Sequence, residues 1–250
     1  MRSWEMVSVM ALAATLGMSP MAGAQSEKQA AATPAAAQAP SAVPNISGVW
    51  NAMRGNYDTA SFSKGDPPMT AWGLEQYKAA KPSQGPRGVP LKDTNDMVYQ
   101  CYSPGLPYIY LQLFPMEIAQ TPTEVIELFE YDHSVRHIYL NRTKHLDDLA
   151  PTYMGDSIGH WEGNTLVVDT IGLNDKRWLD RVGHPASDQM HIIERIHRTD
   201  ANQLQVDFTF DDPKAYTKTW TATMRFRPHP NWYIMEDMCM DNKGFESFEK

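Results

Sequence analysis

From residue 108 onward the chain reads as one β-run after another, separated by short turns. Residues 108–121 are aromatic and β-branched, broken near Pro115. Further runs follow at 124–131, 135–141, 157–161, 165–170, 190–198, 203–211, 217–227 and 232–238. Glu162-Gly163-Asn164 and Thr199-Asp200-Ala201-Asn202 are compact hairpin turns, and Pro228-His229-Pro230 marks a third. This order makes an antiparallel meander, and closing a meander into a barrel removes its unpaired edges. The expected fold is therefore mainly all-β, a single antiparallel barrel, with a β-sandwich as the alternative. One short helix is expected within residues 70–80, with Thr70 as N-cap, Lys81-Pro82 as its end, and Trp72 and Tyr77 against the body.

The N-terminal residues have a different character. Arg2 starts a short apolar run over residues 6–18, and Ala22-Gly23-Ala24 follows as an A-x-A cleavage signature. Residues 1–24 thus read as an export signal, too short to span a bilayer comfortably. Residues 25–43 are rich in Ala, Pro, Gln and Ser and read as a disordered tether, since they cannot bury a core. Residues 44–250 form the expected barrel domain, in the periplasm or outside the cell. In such a compartment Cys101 and Cys239 read as a disulfide, whose very long loop would contribute on the order of 3–5 kcal/mol. The formal net charge of -8, with no basic stripe, argues against a nucleic-acid partner and against attraction to an anionic membrane surface.

One connection breaks the pattern of short turns. Residues 171–189 join two β-runs and pack Asp175, Arg177, Trp178, Asp180, Arg181, His184 and Asp188 together. Loops beyond about 12–15 residues are uncommon and often functional. This one reads as a lid that folds over a barrel mouth and brings His184 to a polar cavity. Asp180 or Asp188 would orient His184 for proton transfer. Arg177 or Arg181 would bind an anionic group or a developing oxyanion.

The flanking strands add further candidates. In the 190–198 run both faces mix apolar and ionisable groups, so Glu194 or Arg195 is a charge that points inward. Asp169 sits in an apolar run and enters either a buried polar network or the strand end. His133 and Arg136 stand at a strand entry after Asp132, and Tyr216 adds a phenol at a strand start. A Zn²⁺ site from His184, Asp188, His191 and His133 is the rival reading, but no H-E-x-x-H or C-x-x-C motif supports it, and no metal or dissociable cofactor is expected.

Gly48-Val49-Trp50 matches the G-x-W element that opens lipocalin-like barrels, and the chain resembles them in that element. Four longer blocks resemble a family of uncharacterised secreted bacterial proteins. They are Phe129-Glu130-Tyr131-Asp132-His133-Ser134-Val135-Arg136, Gly159-His160-Trp161-Glu162-Gly163-Asn164-Thr165-Leu166-Val167-Val168-Asp169-Thr170, Trp178-Leu179-Asp180-Arg181-Val182-Gly183-His184-Pro185 and Asp212-Pro213-Lys214-Ala215-Tyr216-Thr217. The resemblance covers most of the chain after the tether. It implies an exported domain and carries no activity with it.

The functional expectation is a hydrolase or lyase acting on a small molecule by general acid–base chemistry. His184, Asp180, Asp188, His133, His191 and Glu194 are the catalytic candidates. Arg136, Asp169, Trp178, Arg181, Arg195 and Tyr216 are the candidates for binding substrate, and Trp161, Trp178 and Trp220 point to an aromatic or otherwise apolar one. The alternative is a non-catalytic, lipocalin-like carrier, which would line its cavity with aliphatic rather than ionisable groups.

Overall fold

The computed structural model describes residues 43–53 and 60–241, all within one unit spanning Ser41–Lys250. The expected export signal, and all of the tether but Val43, lie outside the described residues. The strands are β1 (Gly48–Ala52), β2 (Met116–Gln120), β3 (Glu124–Phe129), β4 (Val135–Tyr139), β5 (Asp156–Glu162), β6 (Thr165–Ile171), β7 (His191–Asp200), β8 (Gln203–Asp211) and β9 (Trp220–Pro228). They close into a barrel in sequence order, β1 pairing with β9. The one helix of seven or more residues among the described residues, α1 (Ala71–Ala79), begins where the sequence places it, with the Thr70 hydroxyl accepting from Gly73 N at 3.0 Å.

The meander is antiparallel except at one step. β4 and β5 run parallel, paired only at Ile138–Ser157 and Tyr139–Ile158, and residues 140–155 carry the chain back between them. The step has a geometric reason. In a barrel of strictly alternating strands β1 to β9, the first and last would run the same way, and closure would be parallel. One parallel step restores the antiparallel β1–β9 closure that is observed.

Two other expectations change. Tyr108–Leu111 is not a strand but a 3₁₀ turn, fully buried, so only the second half of the 108–121 run joins the sheet, as β2. This turn drives Tyr110 into the barrel, edge-on to Phe129, Phe208 and Phe226. Residues 232–238 form no strand either: β9 spends its free edge on β1, and the tail bonds instead to the β3–β4 connection through Met235 N and Glu130 (2.7 Å). Cys101 and Cys239 do form a disulfide, with Cα atoms 5.4 Å apart, and Cys239 stands in this tail beyond the last strand.

Inward positions follow the two-residue period of a strand. Val125 and Phe129 on β3, Ile192 and Ile196 on β7, and Leu204, Val206, Phe208 and Phe210 on β8 fill the core. Within this apolar filling sits a polar knot. Arg136 of β4 is 1% exposed. Its Nη1 donates to Glu127 (3.0 Å), to the Tyr110 hydroxyl (2.8 Å) and to Glu194 (3.1 Å). Its Nη2 donates to Thr170 (2.8 Å) and to Glu194, and its Nε to Ser157 (3.1 Å). Burial, with repulsion from Glu194, pushes the Glu127 carboxyl up despite the pull of Arg136.

Removing one member of a buried ion pair leaves the others uncompensated, at a cost of about 3–5 kcal/mol. Arg136→Met is expected to destabilise the fold by about that amount in denaturant unfolding. Adding Glu127→Gln and Glu194→Gln to the same variant should restore part of the loss, because no charge then remains in the knot.

Candidate functional site

The connection between β6 and β7 is not a solvated flap. Leu173, Leu179, Ala186 and Met190 belong to the hydrophobic core, and Asp180 and Ser187 are wholly buried. Within it, residues 178–185 close a tight turn. Trp178 bridges Pro185, and Leu179 N donates to the His184 carbonyl (2.8 Å). Gly183 takes a left-handed φ of +84°, and a Cβ there would meet Ala80 Cβ at 2.8 Å, so both conformation and space call for glycine. Asp180 caps the turn from inside, its Oδ1 accepting from Val182 N (3.2 Å) and His184 N (3.1 Å). A second carboxylate, Asp212, pins the end of the connection through Ser187 N (2.7 Å) and Ser187 Oγ (2.6 Å). The Tyr216 hydroxyl donates to the Pro185 carbonyl (2.7 Å).

These anchors fix an acid–base pair. His184 Nδ1 lies 2.6 Å from Asp180 Oδ2, which also accepts from the Ser61 hydroxyl (2.7 Å). Asp180 is an acceptor on every side, so Nδ1 carries the proton and Nε2 faces the other way, with Asp66 Oδ1 3.4 Å from it. Tyr77 of α1 stacks on the imidazole, with centroids 5.0 Å apart and planes 12° from parallel, and donates to Asp66 (2.8 Å). Arg87 lies over the Tyr77 ring, 3.5 Å from its centroid, and donates to the Val182 carbonyl (2.8 Å). His184 and Asp66 line a cleft of about 270 Å³, together with Ser61, Ser63, Lys64, Tyr77 and Arg87. His184 is 2% exposed and Asp66 60%, so the dyad is sheltered while its outer partner meets solvent.

The electrostatics follow from this layout. Burial works against a charge on His184, but the hydrogen bonds and fields of Asp180 and Asp66 outweigh it and raise its pKa. For Asp66, burial is likewise outweighed, and Tyr77 and His184 hold the carboxyl below its usual range. Burial and the bond to Asp66 raise the Tyr77 phenol.

The sequence-predicted residues divide into separate places. His184 and Asp180 come together; Asp188 does not join them, pairing with Lys214 at the surface (3.0 Å). Glu194 and Arg136 lie in the buried knot, out of reach of a bound molecule. His133 is exposed beside Met238 Sδ (3.2 Å). Asp169 and His191 face outward from β6 and β7 and bond each other (2.8 Å), with His145 bridging Asp169 (3.1 Å) and Asp156 (2.8 Å). Arg195 pairs with Glu162 at the surface. Arg181 turns to the Leu111 carbonyl (3.4 Å), away from the cleft. Trp178 and Tyr216 hold the connection in place, and Trp220 packs on Phe210 and Tyr216. The rival zinc set is therefore dispersed, and among the described residues no group of three or more His, Cys, Asp or Glu side chains is placed to hold a metal ion.

Ser61, Asp66, Tyr77 and Arg87 complete the cleft and were not picked out by the sequence. Asp66-Pro67-Pro68 reads as a turn, and nothing local links it to His184, 118 positions away.

No protein-family model matches the chain, and no curated protein matches it either. Among the described residues no helix is long and apolar enough to cross a membrane.

A histidine whose pKa rises on folding adds stability that is complete below its unfolded value of about 6.5 and is lost as pH rises through the folded one. His184→Gln is expected to remove that component. Unfolding free energies of parent and variant, taken over a pH series, should differ most on the acid side and converge toward alkaline pH.

Proposed function

We propose that this chain is an exported small-molecule enzyme of hydrolase or lyase type, in which His184 transfers a proton at the cleft. The observation that carries the reading is the buried 2.6 Å Asp180–His184 contact, with Nε2 directed at Asp66 on the wall of a 270 Å³ cleft. Neutral His184, held by Asp180, offers its Nε2 lone pair to a water or an acidic C–H of the substrate. The imidazolium so formed is stabilised by Asp180 on one side and Asp66 on the other, and returns the proton to the leaving group. Ser61 donates to Asp180 and Ser63 to the Gly65 carbonyl, so neither hydroxyl is poised beside Nε2 as a nucleophile. The step accordingly runs through water or the substrate's own atoms. Lys64 offers a cation for an anionic or oxygen-rich group of the substrate. The cleft's volume suits a compact molecule, below the usual range for drug-sized ligands. The disulfide and the four sequence blocks support a periplasmic or secreted location.

The test is a screen of parent and His184→Ala against small esters, lactones and acids able to undergo β-elimination. For an active substrate, His184→Ala is expected to lower kcat/KM by about 10²–10⁴-fold. Unchanged turnover in the variant would remove His184 from the mechanism, and binding without turnover in both proteins would favour a carrier. Asp66→Asn takes away one source of the raised His184 pKa, so the rising limb of the pH–rate profile should move to lower pH.

A further inference from the structure

Arg177 is a buried charge that the His184 cleft does not use. Its side chain is buried, 4% exposed, and only Nη1 has a partner, the Asn174 carbonyl at 2.8 Å. Nε and Nη2 are buried with no hydrogen-bond partner among the described residues. Two of the nearby carboxylates are committed elsewhere, and the third, exposed Asp175, makes no hydrogen bond to Arg177 among the described residues. Asp212 binds Ser187 and Ala215, while Asp96 accepts from Val98 N (3.0 Å) and the Tyr108 hydroxyl (2.7 Å). Asp212 and Asp175 act on the guanidinium through their fields alone, and buried N–H groups left without a hydrogen-bond partner call for a water or an ion.

The surroundings say which. Arg177 borders a cavity of about 10 Å³, shared with Asp96, Tyr108, Lys176 and Trp178. That is room for about one water-sized particle. Phosphate, sulfate and carboxylates are too large. Water fits but brings no charge, whereas a monoatomic anion fits and neutralises the guanidinium. Lys176 adds a second cation to the lining. Burial raises the Asp96 carboxyl, against the hydrogen bonds from Tyr108 and Val98 N that pull it down. Burial also lowers Arg177 to about 10, as expected of a site short of negative charge.

We infer that Arg177 forms the floor of a buried halide site, filled by chloride, that ties residues 174–178 to the segment carrying Asp96 and Tyr108. The site is separate from the His184 cleft, and its test does not need a known substrate. Thermal unfolding of the intact protein should be followed in sodium chloride and in sodium gluconate at equal ionic strength. The midpoint is expected to climb with chloride and not with gluconate, following the mass-action law for a ligand of the folded state. Bromide should substitute, and its anomalous scattering in crystals should place one ion beside Arg177. Arg177→Met keeps the bulk and removes the charge, and should lose the chloride dependence. Equal midpoints in the two salts, a chloride effect that survives in Arg177→Met, or water alone beside Arg177 in bromide-soaked crystals would each overturn the assignment. Should Arg177→Met fail to fold, the salt comparison and the bromide map on the parent decide the matter.

Discussion

One guanidinium holds together the part of the barrel that backbone pairing holds least well. The parallel β4–β5 step has two paired positions, against seven for β5–β6. Arg136 spans that seam through Ser157 and reaches on to Thr170 of β6 and Glu194 of β7, with Glu127 of β3 behind it. Side-chain bonds thus supply at this point the cross-linking that the ladder supplies elsewhere. The same knot fixes Tyr110, and with it the turn that fills the barrel's centre. The charged members of the knot, Arg136, Glu127 and Glu194, are each 1% exposed, so the proposed chemistry falls to the periphery.

The site at His184 depends on that solidity. Its connection leaves β6 just after Thr170 and rejoins the sheet at β7, both strands gripped by Arg136. Between those points, Asp180 and Asp212 each turn a carboxylate inward onto backbone N–H groups, doing for a loop what ladder hydrogen bonds do for a strand. A proton-transfer group gains from such fixing, since its orientation is set before a substrate arrives.

The fold was legible because strands advertise themselves locally. Alternation along residues 203–211 and the Glu162-Gly163-Asn164 turn needed no distant information, and neither did the Thr70 cap. Where the sequence misled, long-range pairing decided. Residues 108–111 have a strand's composition, yet their side chains are all buried in a turn, because the barrel needed a filling more than another strand. Residues 232–238 lost their partner edge to β1. For the site, His184 and Asp180 could be read because they share one turn, four positions apart. Asp66, Tyr77 and Arg87 could not, since they reach His184 only after the N-terminal segment folds across the barrel. Glu194 was one of two candidates for an inward charge and Arg136 a candidate for binding substrate, but a charge on an inward strand position serves a structural knot as readily as a catalytic one.

The parallel step also governs how a barrel of this kind can change length. A hairpin can be added or removed whole, because two strands leave the direction of the last one unchanged. A single strand cannot, unless the link over residues 140–155 changes with it. Were that link shortened to a tight turn, β5 to β9 would all reverse, and β9 would meet β1 running the wrong way. Strand number and this one crossover are therefore a single inherited character, and a related barrel that has lost the crossover should carry an even number of strands.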